Sequence, residues 1–217
     1  MFDLFARPLI PILDALATWS GSFGIAVILL TIAVRLVLLP LGLKGLQSAA
    51  RMRELQPKMQ EIQERYKDNP EELQKRMMAF YREHNFNPFG GCLPTLLQFP
   101  IIVGLYRVLY DFPARLAENP ELFERINMHF LFVDLTQPSP ILAILAGLTT
   151  LLVMLVGPGD PTQKKMMAPM ALFTLYIAWI LPSGLALYIT TTNLFSAAQQ
   201  VFVQRSMPAL RTSGTKN

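Results

Sequence analysis

The sequence predicts an all-α polytopic membrane protein with five transmembrane helices and a cytoplasmic helical hairpin. Hydrophobic residues make up 52% of the 217 residues, charged residues make up only 16%, and the mean hydropathy is +0.36. These values are typical of the membrane class. Five apolar stretches are candidates for bilayer spans, and a charged stretch with helical periodicity separates the first two.

The five apolar stretches define a core of residues 22–204. The predicted spans cover about 23–43, 92–110, 139–156, 166–181 and 184–203. Residues 1–21 are apolar with a few charges and end near Trp19, which favours an amphipathic segment lying at the membrane interface. Residues 205–217 are polar and predict a cytoplasmic tail.

The first predicted span, 23–43, carries a single charge at Arg35. A helix of this length reaches roughly 31 Å, enough to cross the hydrocarbon core. Burying an arginine at such depth costs considerable free energy, so Arg35 indicates a functional site that is buried or faces a water-filled cavity. Alternatively, Arg35 snorkels to the interface near Lys44, about 13 Å away along a helix.

A helical hairpin is predicted over about residues 50–85. Its first helix has a heptad-spaced apolar seam of Met52, Leu55, Met59, Ile62 and Tyr66. Pro57 is expected to interrupt or start that helix. A turn follows, with Asn69 as the N-cap of the second helix and Pro70 in its first position.

Methionines are frequent in this hairpin. Met52, Met59, Met77 and Met78 could offer an adaptable surface to varied apolar segments. They could equally form the seam of the hairpin itself, and the sequence leaves both readings open.

The distribution of basic residues predicts the orientation. Segments 44–87, 157–165 and 204–217 hold nine, two and three Lys or Arg, whereas the N-terminus, the 111–137 connector and the 182–184 turn hold one, two and none. By the positive-inside rule the N-terminus is outside, and the hairpin and C-terminus are cytoplasmic. The basic residues thus indicate topology and lipid headgroups rather than DNA, while a ribosome contact through the hairpin or tail stays open.

Catalytic and metal-binding patterns are missing from the sequence. Cys92 is the single cysteine, and His84 and His129 lie far apart, so no disulfide, metal site or cofactor site is predicted. The spans contain no Ser–His arrangement or acidic pair, and no Gly-rich phosphate loop occurs. We therefore expect a protein that is not an enzyme and that hydrolyses no ATP.

Polar side chains recur within the spans without any Asp or Glu. Thr31 lies one turn before Arg35, and Thr95 and Gln98 share a face of the second span. The fifth span carries a stripe of Tyr188, Thr192, Ser196 and Gln199 or Gln200. This stripe could simply join helices by hydrogen bonds. With Arg35, which needs partners for its donors, it could instead line a water-filled cavity that attracts negative charge.

Four motifs together resemble the YidC membrane protein insertase family. They are TIAVRLVLLPL followed by MRELQPKMQEIQERY, then NPFGGCLPTLLQFPI, then VDL at 133–135, and finally PSGLALYITTTNLFSAAQQ. They occur in the family's order across about residues 20–204, and their combination is far more specific than any one of them.

The resemblance implies a hydrophilic groove that is open to the cytosol and the bilayer and closed to the outside. The family's groove arginine falls on Arg35, its first-span threonine on Thr31 and its second-span glutamine on Gln98. Its cytoplasmic hairpin falls on about 50–85. The sequence predicts a short form, without the large outer-side domain and preceding span of Gram-negative members and without a lipoprotein-type cysteine.

The function expected is therefore that of an insertase and chaperone in a bacterial inner or plasma membrane. Its partners would be nascent membrane proteins and lipids, with the Sec translocon and the ribosome left open. A small transporter or channel is the alternative, although it would predict internal repeats and coupling carboxylates within the spans.

Overall fold

The computed structural model describes residues 3–84, 99, 101–104, 106–108, 126–157 and 161–206, without the side chains of 3–9, 50, 53, 161–167 and 206. This part of the chain is mostly helical. Its elements are α1 (Asp3–Ser20), α2 (Phe23–Val37), α3 (Leu39–Arg65), α4 (Pro70–Glu83), β1 (His129–Phe130), β2 (Val133–Asp134), α5 (Pro140–Val156), α6 (Pro161–Ile180) and α7 (Ser183–Ser206).

Helices α5, α6 and α7 pack together, and α2 packs against α7 on the other side. The core between them includes small apolar residues, among them Ala143, Ala146, Ala178 and Ala186. Helix α1 lies against α2 and buries Leu13 and Ala17. Helices α1, α2, α5, α6 and α7 thus form one bundle, in which α7 lies between α2 and α5.

The predicted first span is not one straight helix. Helix α2 ends at Val37, α3 begins at Leu39, and their axes meet at 65°. Pro40 lies in the first turn of α3, where its missing N–H cannot continue the hydrogen-bond ladder of α2. The prediction of a continuous helix over 23–43 was therefore wrong at Leu38.

Length and hydropathy alone identify no single described helix as a membrane span. Helix α2 together with Leu39–Ala49 meets the criteria as a bent pair, and Pro140–Val156 and Ala168–Ile180 are shorter apolar helices. The predicted second span, 92–110, lies largely outside the described residues, which are helical at 101–104 and 106–108.

The predicted hairpin is present as α3 and α4, which contact each other. Asn69 caps α4, since its Oδ1 accepts the backbone N–H of Glu72 at 3.2 Å, and Pro70 occupies the first turn. That prediction is confirmed. The expectation for Pro57 was wrong, because α3 runs through Pro57 without ending and leaves the proline exposed. The helix bearing the seam therefore starts at Leu39.

Residues 126–139, which we call the connector cap, close one end of the bundle. The N–H of Phe23 donates to the carbonyl of Asn127 (3.0 Å), which ties the cap to the start of α2. Ser183 Oγ donates to the carbonyl of Asp134 (2.7 Å) and its N–H to that of Gln137 (3.0 Å), which ties the cap to the start of α7. The cap therefore fixes the beginnings of α2 and α7 relative to each other.

Candidate functional site

The candidate site lies between α2 and α7, at the level of Arg35. Thr31 and Arg35 are one helical turn apart on α2, so they project from the same side. Thr31 is buried, and its hydroxyl donates to the carbonyl of Val27 at 2.6 Å. Thr31 thus has its donor satisfied within the helix and presents only acceptor capacity to the site.

Arg35 is half-buried, and its Nε is enclosed without a hydrogen-bond partner among the described residues. No described carboxylate forms an ion pair with it. The Tyr188 side chain of α7 lies near it. A guanidinium in this position keeps donors available for water, carbonyl oxygen or an anion.

The α7 side of the site also contains buried polar groups without a described hydrogen-bond partner. Tyr188 and Thr192 are buried, and their hydroxyl oxygens have no hydrogen-bond partner among the described residues. The Tyr188 and Thr192 hydroxyls are neighbours one turn apart but do not reach hydrogen-bond geometry. Buried polar groups are almost always paired, so several unpaired ones together indicate a place that water or a ligand occupies.

The predicted stripe of the fifth span divides into different environments. Ser196 is half-buried, and its hydroxyl donates to the carbonyl of Thr192 at 2.9 Å. Gln199 packs against α3, where a Cβ on Gly42 would lie 2.8 Å from its Nε2, and Gln200 lies against Gly157 after α5. Tyr188 and Thr192 therefore lie on the Arg35 side with hydroxyls that have no partner among the described residues, whereas the Ser196 hydroxyl already donates within α7.

Two polar residues of α7 were not identified from the sequence. Thr190 is buried, and its hydroxyl has no hydrogen-bond partner among the described residues, but it lies off the spacing that joins Tyr188, Thr192 and Ser196, so no sequence pattern indicates it. Asn193 donates through Nδ2 to the hydroxyls of Thr150 (2.9 Å) and Thr149 (3.3 Å) on α5. A polar amide within an apolar stretch was the available signal for such an interhelical bond.

The Gln98 side chain lies outside the described residues, so the structure places only the α2 and α7 members of the predicted site. Within the described ranges, no three His, Cys, Asp or Glu side chains gather where they could hold a metal ion.

The hairpin methionines fall into two groups. Met59 is buried and Met77 is half-buried, on the side where α3 and α4 meet and where Phe80 is also buried. Met52 and Met78 are exposed. Burial therefore favours the seam reading for Met59 and Met77 and leaves Met52 and Met78 as candidates for a contact surface.

Comparisons with known proteins point to one family. The family model described as 60Kd inner membrane protein matches residues 15–210. The membrane protein insertase YidC of Wolinella succinogenes is 41% identical over 210 residues, which cover 94% of this chain and 38% of that protein. The protein of the same name from Clostridium tetani is 38% identical over 191 residues, covering 85% and 82%.

The fold agrees with a solved structure of the same name. A crystal structure of an active YidC insertase with its first transmembrane domain resolved matches with a TM-score of 0.69 and 28% identity. The match covers 91% of this chain and 45% of the other. The chain spans about two-fifths of the length of the Wolinella relative and of a Helicobacter pylori relative, which is 37% identical.

Proposed function

The chain belongs to the 60Kd inner membrane protein family, and from this premise we propose that it is a membrane protein insertase of the bacterial inner membrane. Its relatives carry the name membrane protein insertase YidC. In this proposal, five spans enclose a hydrophilic groove that receives incoming membrane proteins, and no ATP is hydrolysed. The N-terminus is outside, and the hairpin and C-terminus are cytoplasmic.

One observation carries the proposal: a half-buried guanidinium without a described carboxylate partner lies on the same side as two buried hydroxyls, those of Tyr188 and Thr192, that have no partner among the described residues. A structural role would be expected to pair these groups, since a buried unpaired polar atom destabilises the fold. A groove that holds water, and that exchanges this water for polar parts of a substrate, accounts for all three groups together. The proposed groove residues are Arg35, Thr31, Gln98, Tyr188, Thr192 and Ser196.

The mechanism we propose is electrostatic and hydrophobic rather than chemical. Arg35 in a medium of low dielectric attracts the acidic or polar outer tail of the substrate, which becomes partly desolvated halfway across the membrane. The apolar segment slides along the exposed apolar faces of α5 and α7, where Ile141, Leu148 and Leu194 are available. Partition into lipid and the membrane potential then complete the transfer.

The hairpin would receive the substrate on the cytoplasmic side. Its exposed Met52 and Met78 fit varied apolar segments, because the unbranched side chain of methionine adapts its shape. The basic residues of the hairpin and tail would also carry any contact with a ribosome or a Sec translocon.

The test uses the full chain purified in detergent and reconstituted in liposomes. The protein offered is a single-span test protein, made once with a short acidic outer tail and once with a neutral one. We expect protease-protected insertion well above that of empty liposomes, without nucleotide. Proteoliposomes that conduct small ions or take up solutes but insert no test protein would instead support the transporter or channel alternative.

A further inference from the structure

The three most exposed large apolar side chains in the described part of the chain lie at one end of the bundle. They are Phe132, 97% exposed, Trp19, 80% exposed, and Leu131, 79% exposed. Trp19 comes two residues before Gly21, whose carbonyl accepts the N–H of Asn127 in the connector cap at 2.9 Å. Leu131 and Phe132 form the tip of the β1–β2 hairpin in the same cap.

This tip is held in place rather than loosely attached. His129 pairs with Asp134 and Phe130 with Val133 across the hairpin, so only two residues form the turn. At the base, the Phe130 ring packs on α2 so closely that a Cβ on Gly24 would lie within 2.7 Å of the Phe130 Cβ. The positions of Leu131 and Phe132 relative to the start of α2 are therefore fixed.

The turn itself uses an unusual residue. Leu131 has φ 56°, in the left-handed region that glycine or asparagine normally occupies in a two-residue hairpin. A glycine there would relieve the strain and lose few contacts with the described residues, since the Leu131 side chain is 79% exposed. Leu131 thus keeps an exposed apolar side chain at a position that favours glycine, which indicates an interaction surface.

We propose that the hairpin tip Leu131–Phe132, together with Trp19, inserts into the interfacial region of the lipid bilayer and anchors the connector cap at the membrane surface. An apolar, uncharged tip beside an exposed tryptophan matches the aromatic belt of membrane proteins. The location also fits, because the tip lies at the end of a bundle whose lateral surface exposes apolar residues such as Ile25 and Ile141. This inference rests on the membrane placement in the proposed function.

Single-tryptophan variants test the anchor in vesicles of phosphatidylethanolamine and phosphatidylglycerol. Trp19 and Trp179 are replaced by Phe, and Phe132→Trp is then introduced at a site too exposed to disturb folding. Gln137→Trp, at an exposed polar position of the same cap, is the matched control. Leu148→Trp, exposed midway along α5, reports membrane placement independently.

We expect Phe132→Trp to show a blue-shifted emission that is quenched several-fold by lipids brominated near their headgroup end, with Gln137→Trp unquenched. If Phe132→Trp behaves like Gln137→Trp while Leu148→Trp is quenched by deeply brominated lipid, the anchor is refuted and the membrane placement stands. A blue shift without quenching would mean that protein covers the tip and would also overturn the anchor. If brominated lipid does not quench Leu148→Trp, the membrane placement itself is disproved.

Discussion

At the residue scale, substitutions of Arg35 distinguish a functional role of its charge from a structural one. We expect Arg35→Ala to fold at least as well as the parent, because an expensive half-buried ion is removed. Its insertion defect should be large for substrates with acidic outer tails and small for neutral ones, whereas Arg35→Lys keeps much of the activity despite losing the planar fork. Thermal unfolding and liposome insertion measure the two properties.

Arg205→Ala, at an exposed position near the end of α7, is the control and should change neither property. Loss of folded protein with Arg35→Ala would show that the arginine is a structural hydrogen-bond centre. An equal defect for acidic and neutral tails would disprove the electrostatic mechanism and leave the family assignment unaffected.

Adjacent threonines of α7 provide a second test at this scale. The buried Thr192 hydroxyl has no partner among the described residues, whereas the Thr191 hydroxyl donates to the carbonyl of Leu187 at 2.9 Å. We expect Thr192→Val to slow insertion several-fold, equivalent to about 1 kcal/mol, since a hydrogen bond to water or substrate is removed. Thr191→Val should leave the insertion rate almost unchanged, and a reversed order in the rate assay would argue against this groove lining.

The residues of this site were only partly predictable. Thr31, Arg35, Tyr188 and Thr192 stand out because polar groups at helical spacing are conspicuous in apolar stretches. Which hydroxyls are already bonded is a different matter, since Ser196 and Thr192 look alike in sequence. Their difference arises from whether each side chain turns back to a carbonyl of its own helix, a choice of rotamer that spacing does not reveal.

At the element scale, the hairpin of α3 and α4 is the part most separable from the bundle. Met59 and Phe80 are buried and Met77 is half-buried in it, and Arg76 of α4 lies 5.6 Å from the Tyr66 ring at the end of α3. Replacing residues 55–83 by a short Gly-Ser linker should therefore leave the bundle folded, as judged by its thermal unfolding, while substrate capture in a crosslinking assay weakens strongly.

Substituting the two exposed methionines tests capture without deleting the hairpin. Met52→Ser and Met78→Ser remove exposed apolar surface and should weaken capture without loosening the hairpin. If the deletion keeps full insertion activity, the hairpin is only a connector between spans.

The elements themselves differ in how far the sequence predicts them. The start of α4 is predictable because Asn69 and Pro70 determine it locally. The break at Leu38 is missed because average hydropathy does not register that one missing N–H at Pro40 ends the preceding helix. The sequence does not predict the connector cap, because Ser183 Oγ and the carbonyl of Asp134 are 49 residues apart and their hydrogen bond depends on the packed bundle.

At the scale of the whole molecule, the charge distribution and the fold make a joint prediction about orientation. Fourteen Lys or Arg lie in the segments predicted to be cytoplasmic and three in those predicted to be outside. The connector cap joins the starts of α2 and α7 at one end of the bundle, and α3 and α4 extend from the other end of α2. The cap should therefore face outward, and the hairpin should face the cytoplasm.

Cysteine labelling of intact cells tests this orientation. In a Cys92→Ser background, a cysteine at Gln137 or within 115–125, which lies outside the described residues, should react with a membrane-impermeant maleimide added from outside. A cysteine at 70–72, next to the cap of α4, should react only after permeabilisation, because a charged reagent does not cross the hydrocarbon core. A cysteine at Leu148 should stay poorly reactive in both conditions, since thiol reagents need a thiolate in water. The opposite pattern at the two ends would reverse the orientation and place Arg35's groove open to the outside.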